Sequence, residues 1–167
     1  MNTLKSEIAK IAVGGGCHWC TEAIFQSLKG VQKVEQGYVA SVGEAGAFSE
    51  AVIVHFNAEE IPLSVLIEIH LYTHKSTVAH SMRTKYRSAV YTFSEAQKKI
   101  VKEILQKLQQ DFTENLITEV LPFQSFKASR AEITNYYLKN PKKPFCERFI
   151  EPKLEVLRKK YESYTKL

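Results

Sequence analysis

The chain has 167 residues, of which 44% are hydrophobic and 25% charged, and its net charge is +5. This composition is typical of a folded globular domain and excludes a disordered or fibrous protein, and the length predicts one domain over residues 1–167. No apolar run approaches membrane-spanning length, residues 1–7 lack a signal-peptide pattern, and three cysteines do not fit a secreted disulfide framework, so we expect a cytoplasmic monomer without a membrane partner.

The first half of the chain predicts three strands and two helices. Three glycines follow the first strand, and Gly30 ends the first helix. Pro62 suits the first turn of the second helix, where its missing N–H costs nothing. The predicted strands are Ile8 to Val13, Val31 to Val39 and Glu50 to Phe56, and the predicted helices are Thr21 to Leu28 and Pro62 to Tyr72.

The second half predicts two strands and three helices. Ser94 caps the clearest helix, and Gln97 completes a capping box. The predicted strands are Tyr86 to Phe93 and Ile117 to Leu121, and the predicted helices are Ser94 to Gln110, Glu132 to Leu138 and Lys153 to Tyr161. The order β-α-β-β-α-β, then α-β-α-α, predicts an α+β fold with a ferredoxin-like split βαβ core and additional C-terminal helices.

The positive charge is concentrated at the C-terminal end. Residues 139–167 contain nine Lys or Arg and four Asp or Glu, so this segment carries the whole excess of +5. Within it, residues 152–160 alternate apolar and charged positions at helical spacing. That spacing favours a solvated amphipathic helix, so we expect no nucleic-acid partner.

The segment from Cys17 to Cys20 is the most informative motif. It follows an apolar strand and three glycines and leads directly into a helix, so Cys17 is expected at the positive end of a helix dipole. That position favours the thiolate, which is the reactive form of cysteine. Two alternatives are a zinc site completed by Cys146 and a histidine, and inert packing of the thiols.

Five motifs in order resemble the A-type peptide methionine sulfoxide reductases. The family usually carries Gly-Cys-Phe-Trp where this chain has Gly16-Cys17-His18-Trp19. The other matches are Gly37-Tyr38, Ser49-Glu50-Ala51-Val52, Thr84 to Ala89, Thr118 to Pro122, and a tail from Asn140-Pro141 through Pro152-Lys153-Leu154. The resemblance spans nearly the whole chain and implies reduction of the S epimer of methionine sulfoxide, free or in peptides and proteins, with no cofactor and no metal.

The resemblance also implies a role for each matched residue. Cys17 supplies the nucleophile, and Glu50 is the acid for the departing oxygen, since burial at the start of an apolar strand is expected to keep its carboxyl protonated. Tyr38 and Tyr86 donate hydrogen bonds to that oxygen. Trp19 forms the apolar pocket for the substrate methyl group.

Three departures from the family pattern alter the surroundings of this set. His18 replaces a phenylalanine, and three interpretations stay open: a polar pocket wall, an ion-pair partner of the Cys17 thiolate, or exposure beside the site. Ser81 replaces an aspartate, and the family's Asp-Tyr-His aligns with residues 131–133. These changes are expected to affect substrate range and efficiency more than the type of reaction.

Recycling requires a second thiol. A sulfenic acid on Cys17 condenses with a nearby thiol to a disulfide. Cys20 lies one helical turn away and is the favoured partner, while Cys146 in the tail is either a second relay or a buried structural thiol. The resemblance implies thioredoxin as the reductant.

Two rival functions use the same residues. The spacing of Cys17 and Cys20 fits a thiol–disulfide oxidoreductase, although that class lacks the tyrosine and glutamate set. The other rival is a degenerate, non-catalytic homologue that binds methionine-rich partners.

Overall fold

The computed structural model describes residues 8–167, in which six strands form one mixed sheet. The strands are β1 Ile8–Gly14, β2 Val31–Ala40, β3 Ser49–Asn57, β4 Ala89–Thr92, β5 Glu119–Pro122 and β6 Ser125–Ala128. The helices are α1 His18–Gln26, α2 Leu63–Tyr72, α3 Glu95–Leu108, α4 Tyr136–Lys139 and α5 Glu151–Lys160. A π-helical turn, Cys146–Ile150, runs directly into α5.

The strands lie in the order β5-β4-β1-β3-β2-β6, and every pair is antiparallel except β4 with β5. Because β1 and β2 both run antiparallel to β3, they are parallel to each other with β3 between them. α1 connects β1 to β2, and α2 connects β3 to β4. The α+β class is confirmed, as is the β-α-β-β-α-β order of the first six regular elements.

Alternation along the strands divides the core between the two faces of the sheet. Ile11 and Val13 of β1 pack in the cluster that includes residues of α1, α2, α3 and α5. Ala12 lies in a smaller cluster with Tyr91, on which Phe126 packs. The large helical layer therefore covers one face of the sheet.

Several predicted boundaries were wrong. α1 begins at His18, three residues before the predicted start, so Cys20 lies inside its first turn. β4 begins at Ala89 rather than Tyr86, because the preceding segment is held by the Ser49 side chain: its Oγ accepts from the Arg87 N–H (2.7 Å) and donates to the Lys85 carbonyl (2.9 Å). β6 was not predicted.

The C-terminal region also differs from the prediction. The helix expected over Glu132 to Leu138 is a 3₁₀ turn, Ala131–Ile133, and the short α4, separated by Asn135 at φ 55°. The last helix starts earlier than Lys153 because the turn at residues 146–150 continues into it. The expectation about the leader concerns residues 1–7, which lie outside the described part. In residues 8–167, no helix is long and apolar enough to cross a membrane.

Candidate active site

Strand register places the predicted site residues at one end of the sheet. β1 ends at Gly14, which pairs with Ala51 on β3 and Ala89 on β4. Glu50, next to Ala51, lies opposite Tyr38 of β2. Residues that follow β1 or precede β4 therefore meet at this end of the ladder.

Cys17 is the N-cap residue of α1, with extended backbone angles (φ −60°, ψ 129°). The pKa of its thiol is lowered, first by a hydrogen bond from the Cys20 thiol and further by the backbone N–H groups of Trp19 and Cys20. Partial burial and the nearby Glu50 oppose this shift. The predicted position at the start of a helix is confirmed, and it favours the reactive thiolate.

The pKa of the Cys20 thiol is shifted in the opposite direction to that of Cys17. Cys20 is 4% exposed, and the pKa of its thiol is raised well above the usual thiol range, mainly because it donates its proton to Cys17 and secondarily because it is buried. The nearby Lys153 ammonium opposes that shift. One sulfur of the pair is therefore prepared as a nucleophile while the other keeps its proton.

Cys146 is fully buried at the start of the π-helical turn, and burial raises the pKa of its thiol. It belongs to the same core cluster as Cys20 and interacts electrostatically with it. All three thiols are free. Within the described residues, no cluster of three or more His, Cys, Asp or Glu side chains is arranged to hold a metal ion.

The structure requires a glycine at position 15, before Cys17, but not at position 16. Gly15 has φ +154°, and a Cβ there would lie 2.5 Å from the His74 ring. The His74 ring is fixed, since Nε2 meets the Ser88 hydroxyl at 2.8 Å and Nδ1 meets the His70 carbonyl. Gly15 is thus required by the packing of a histidine, whereas a Cβ on Gly16 would meet no atom closer than 4.0 Å.

Glu50 is buried beside the first turn of α1. The residue is 6% exposed, and its Oε1 accepts a hydrogen bond from the His18 backbone N–H at 3.1 Å. The Lys85 ammonium lies 3.7 Å from Oε2. The carboxyl group therefore accepts a hydrogen bond from the residue next to Cys17. Its second oxygen faces the Lys85 ammonium, which the sequence analysis did not identify as part of the site.

The His18 ring lies between the Gly37 carbonyl group and Glu50. Nδ1 lies 2.9 Å from the Gly37 carbonyl oxygen, which can only accept, so Nδ1 carries a hydrogen. Nε2 then faces Oε1 of Glu50 at 3.5 Å. A favourable contact between these two atoms requires one proton, either on the ring or on the carboxyl group. His18 is 4% exposed, so exposure beside the site is excluded, and its ring also meets the Tyr38 ring edge-on at 5.1 Å.

A cavity of about 400 Å³ opens beside Cys17. Cys17, Cys20 and Tyr86 line it, together with apolar side chains of Met82, Phe145 and Phe149. Of the other predicted site residues, His18, Trp19, Tyr38, Glu50 and Cys146 do not line it.

Trp19 belongs to an aromatic cluster next to this cavity. Its ring stacks on Tyr136 at 4.1 Å with an interplanar angle of 6° and meets Phe145 edge-on at 5.2 Å. Glu22 holds this arrangement, because its buried carboxylate accepts from the Asn135 N–H at 2.9 Å and the Tyr136 N–H at 3.3 Å. Trp19 thus packs against other aromatic side chains, and its role in a methyl pocket stays a prediction.

Comparison with known proteins decides the family. A sequence model of "Peptide methionine sulfoxide reductase" matches residues 9–165. The peptide methionine sulfoxide reductase MsrA of Psychrobacter sp. (strain PRwf-1) is 37% identical over 171 residues, covering 92% of this chain and 97% of the relative.

The chain belongs to the peptide methionine sulfoxide reductase family. Its members are oxidoreductases, so the predicted enzyme class is confirmed. Solved structures show the same fold. Reduced Mxr1 from Saccharomyces cerevisiae aligns with a TM-score of 0.72 at 22% identity, covering 87% of this chain and 92% of that one. Mxr1 in complex with Trx2 aligns with a TM-score of 0.59 at 22% identity, covering 80% and 90%.

The sequence still departs from the family pattern in the loop before β4. Ser81 is exposed in the loop between α2 and β4, where the reductase pattern has an aspartate. Arg83 of the same loop donates to the carbonyl oxygens of Gly15 (2.7 Å), Tyr86 (2.9 Å), Val78 (2.9 Å) and Lys75. The loop is therefore held beside Cys17 by a guanidinium group.

Proposed function

We propose that this reductase converts the S epimer of methionine sulfoxide, free or peptide-bound, to methionine with Cys17 as nucleophile and Cys20 as the recycling thiol. The hydrogen bond from the Cys20 thiol to Cys17 at the start of α1 carries the proposal. It favours the attacking thiolate and places the second sulfur within reach of the first.

In the first step the Cys17 thiolate attacks the sulfoxide sulfur. The oxygen takes a proton from Glu50 and accepts hydrogen bonds from Tyr38 and Tyr86. A bond forms between the two sulfurs, the S–O bond breaks, and the protonated oxygen departs as hydroxide. The hydroxide then attacks the Cys17 sulfur and the S–S bond breaks, so that methionine leaves as the thioether, reduced by two electrons, and Cys17, oxidised by two electrons, becomes a sulfenic acid. The His18 ring, with Nε2 at 3.5 Å from Oε1, is the neighbour that can return a proton to Glu50.

In the second step the Cys20 sulfur attacks the sulfenic sulfur. A disulfide bond forms, the S–O bond breaks, and water leaves with the Cys20 proton. An external dithiol then reduces the disulfide. The solved relative Mxr1 binds Trx2, which supports a thioredoxin as the reductant here.

The test is thioredoxin-coupled turnover of the two purified methionine sulfoxide epimers. We expect reduction of the S epimer alone. Equal rates on both epimers, or turnover of neither, contradict the proposal. A protein that exchanges disulfides but reduces neither epimer is instead the rival thiol–disulfide oxidoreductase.

Variants of the three cysteines test the roles of the thiols. Cys17→Ser is expected to abolish the first half-reaction, whereas Cys20→Ser is expected to release one methionine per chain and stall. Mass spectrometry of the stalled protein reports the oxidised sulfur. Cys146→Ser is the matched control and is expected to cycle; if it stalls while Cys20→Ser cycles, the recycling thiol is Cys146.

A further inference from the structure

Four cations surround the cavity beside Cys17. Lys75 and Lys153 line it. Lys85 lies 5.1 Å from the centre of the Tyr86 ring, and Arg148 lies 5.4 Å from that of Phe149; both rings line the cavity. These four residues, Lys75, Lys85, Arg148 and Lys153, are called the cationic rim.

Most of the charge on the cationic rim is not balanced by a carboxylate. Lys85 has Glu50 at 3.7 Å. For the other three, no carboxylate of residues 8–167 lies within ion-pair distance, and Lys153 donates to the Thr73 carbonyl instead. None of the described residues that line the cavity is acidic. The cavity therefore has a positive potential that a bound anion would neutralise.

Neighbouring groups respond to this positive potential. Burial lowers the pKa of Lys153; the Cys20 and Cys17 thiols oppose that shift, and the charge of Lys75 adds to it. The pKa of His74 is lowered by burial and by the charge of His70, with smaller contributions from Arg83 and Lys153. Positive charges on two separate parts of the chain, the loop before β4 and α5, thus act on the same small volume.

The cavity wall beneath the cationic rim is apolar. Met82 and Phe149 are 48% exposed each and line the cavity with Phe145. Such a wall suits the uncharged methionine sulfoxide side chain. In an extended peptide each residue advances about 3.4 Å and successive side chains alternate in direction, so the residues on either side of an inserted methionine sulfoxide stay outside the cavity, next to its mouth.

We propose that the preferred substrates are peptides in which acidic residues flank the methionine sulfoxide on both sides. This inference rests on the proposed function and adds its substrate class. Side-chain carboxylates on both flanks match cations that come from two parts of the chain. A single terminal carboxylate, as in the free amino acid, meets only one of them.

The test compares kcat/KM for three blocked tripeptides that carry the S sulfoxide between two Asp, two Asn or two Lys residues. At low ionic strength we expect the Asp peptide to exceed the Lys peptide roughly tenfold, with the Asn peptide between them. Since exposed charges are screened by salt, the ratio is expected to shrink at about 0.5 M salt. Equal values for the three peptides overturn the inference but leave the proposed function intact.

A matched pair of variants locates the effect. Lys75→Glu is expected to reduce the Asp-to-Lys ratio at least threefold. Lys102→Glu makes the same change in net charge on α3, outside the cavity, and is expected to preserve the ratio. Equal reductions in both variants mean that net charge, not the cationic rim, is responsible, and the inference fails.

Two further measurements are needed. One distinguishes a terminal carboxylate from a side-chain carboxylate, and the other distinguishes failure of the substrate preference from failure of the proposed function. N-acetyl methionine sulfoxide is compared as its free acid and its amide. If the free acid exceeds the amide by as much as the Asp peptide exceeds the Asn peptide, a terminal carboxylate suffices and the peptide preference is wrong. If no peptide is reduced while the N-acetyl compounds are, the substrate class fails and the proposed function stands; if none of these compounds is reduced, both fail.

Discussion

Glu50 is the residue on which proton delivery depends in the proposed reaction. Glu50→Gln keeps the size of the side chain and an oxygen for the His18 N–H, but removes the acidic proton. We expect kcat to fall on the order of 10²- to 10⁴-fold with KM nearly unchanged, because the acid acts on charge that develops at the departing oxygen. Steady-state kinetics on the S epimer measure both constants.

A matched control is available on β2. Glu35 also pairs with a histidine, at 2.6 Å from His55, and is partly exposed. Glu35→Gln is expected to change kcat less than twofold. A loss below about threefold in Glu50→Gln would assign Glu50 a purely structural role.

His18 distinguishes this chain from the usual family pattern. His18→Phe removes the ring nitrogen that lies 3.5 Å from Oε1 of Glu50 and supplies an apolar ring instead. We expect KM to fall and the pH dependence of kcat/KM to flatten between about pH 5 and 8. The pH profile of the variant beside that of the parent protein measures this effect.

The same variant tests the ion-pair hypothesis for Cys17. The two ring nitrogens of His18 face the Gly37 carbonyl oxygen and Glu50. Iodoacetamide titration of Cys17, with Cys20 and Cys146 replaced by serine, is therefore expected to give the same thiol pKa with histidine or phenylalanine at position 18. A raised thiol pKa in His18→Phe would show that the imidazolium pairs with the thiolate.

The sequence predicted the position of Cys17 better than the contacts around it. A thiol at the start of a helix follows from the local pattern around Cys17, and the structure confirms it. The contact of His18 with Glu50 depends on strand register, which one sequence does not specify. Lys85 and Lys153 were not predicted as site residues, because lysines at the ends of loops and helices are ordinarily solvated.

At the scale of elements, Glu22 fixes α1 against α4. Its carboxylate is 1% exposed and accepts three hydrogen bonds, from the Asn135 and Tyr136 N–H groups and the Gln36 side chain. Glu22→Ala leaves these donors without a partner, so we expect the free energy of unfolding to fall by about 3 kcal/mol. Urea unfolding measures the change.

The exposed residue Glu103 provides a control for Glu22→Ala. Glu103→Ala on α3 is expected to change the free energy of unfolding by less than about 0.5 kcal/mol. Because Tyr136 stacks on Trp19, the fluorescence of this single tryptophan is also expected to shift in Glu22→Ala alone. An unchanged stability and spectrum would show that α4 is held by other contacts.

Elements with strong periodicity or caps were predicted well, and short ones were not. Ser94 accepts from the Gln97 N–H at 3.1 Å, and the Gln97 side chain accepts from the Phe93 N–H, so α3 starts as its capping residues predicted. β6 has only four residues at a sheet edge and alternates weakly, so its pairing with β2 decides its conformation. α4 is a single turn that depends on Glu22, which is distant in the sequence.

At the scale of the whole molecule, a buried histidine couples stability to pH. His70 is 2% exposed, its Nε2 meets the Gly14 carbonyl at 2.7 Å, and burial lowers its pKa from 6.5 to about 4. The unfolded chain takes up a proton below about pH 6.5 that the folded chain resists. The free energy of unfolding is therefore expected to fall by about 2 kcal/mol from this residue between pH 7 and 5.

His70→Gln removes this titration and retains an N–H donor for Gly14. Urea unfolding at pH 7 and pH 5 is expected to show a smaller loss in the variant than in the parent protein. Equal losses would mean that other groups carry the acid sensitivity. His74, whose pKa is also lowered by burial, acts in the same direction. Because the charge of His70 lowers the pKa of His74 further, the contribution of His74 is also expected to be smaller in the variant.

Arg83 has a consequence for how freely this sequence can diverge. Its guanidinium holds the loop through carbonyl oxygens of Gly15, Lys75, Val78 and Tyr86, which every amino acid supplies. These hydrogen bonds therefore do not depend on which side chains the loop carries. Positions such as Ser81 are free to mutate without displacing the loop, so the rim of the cavity can acquire new substrate preferences while the backbone beside Cys17 stays in place.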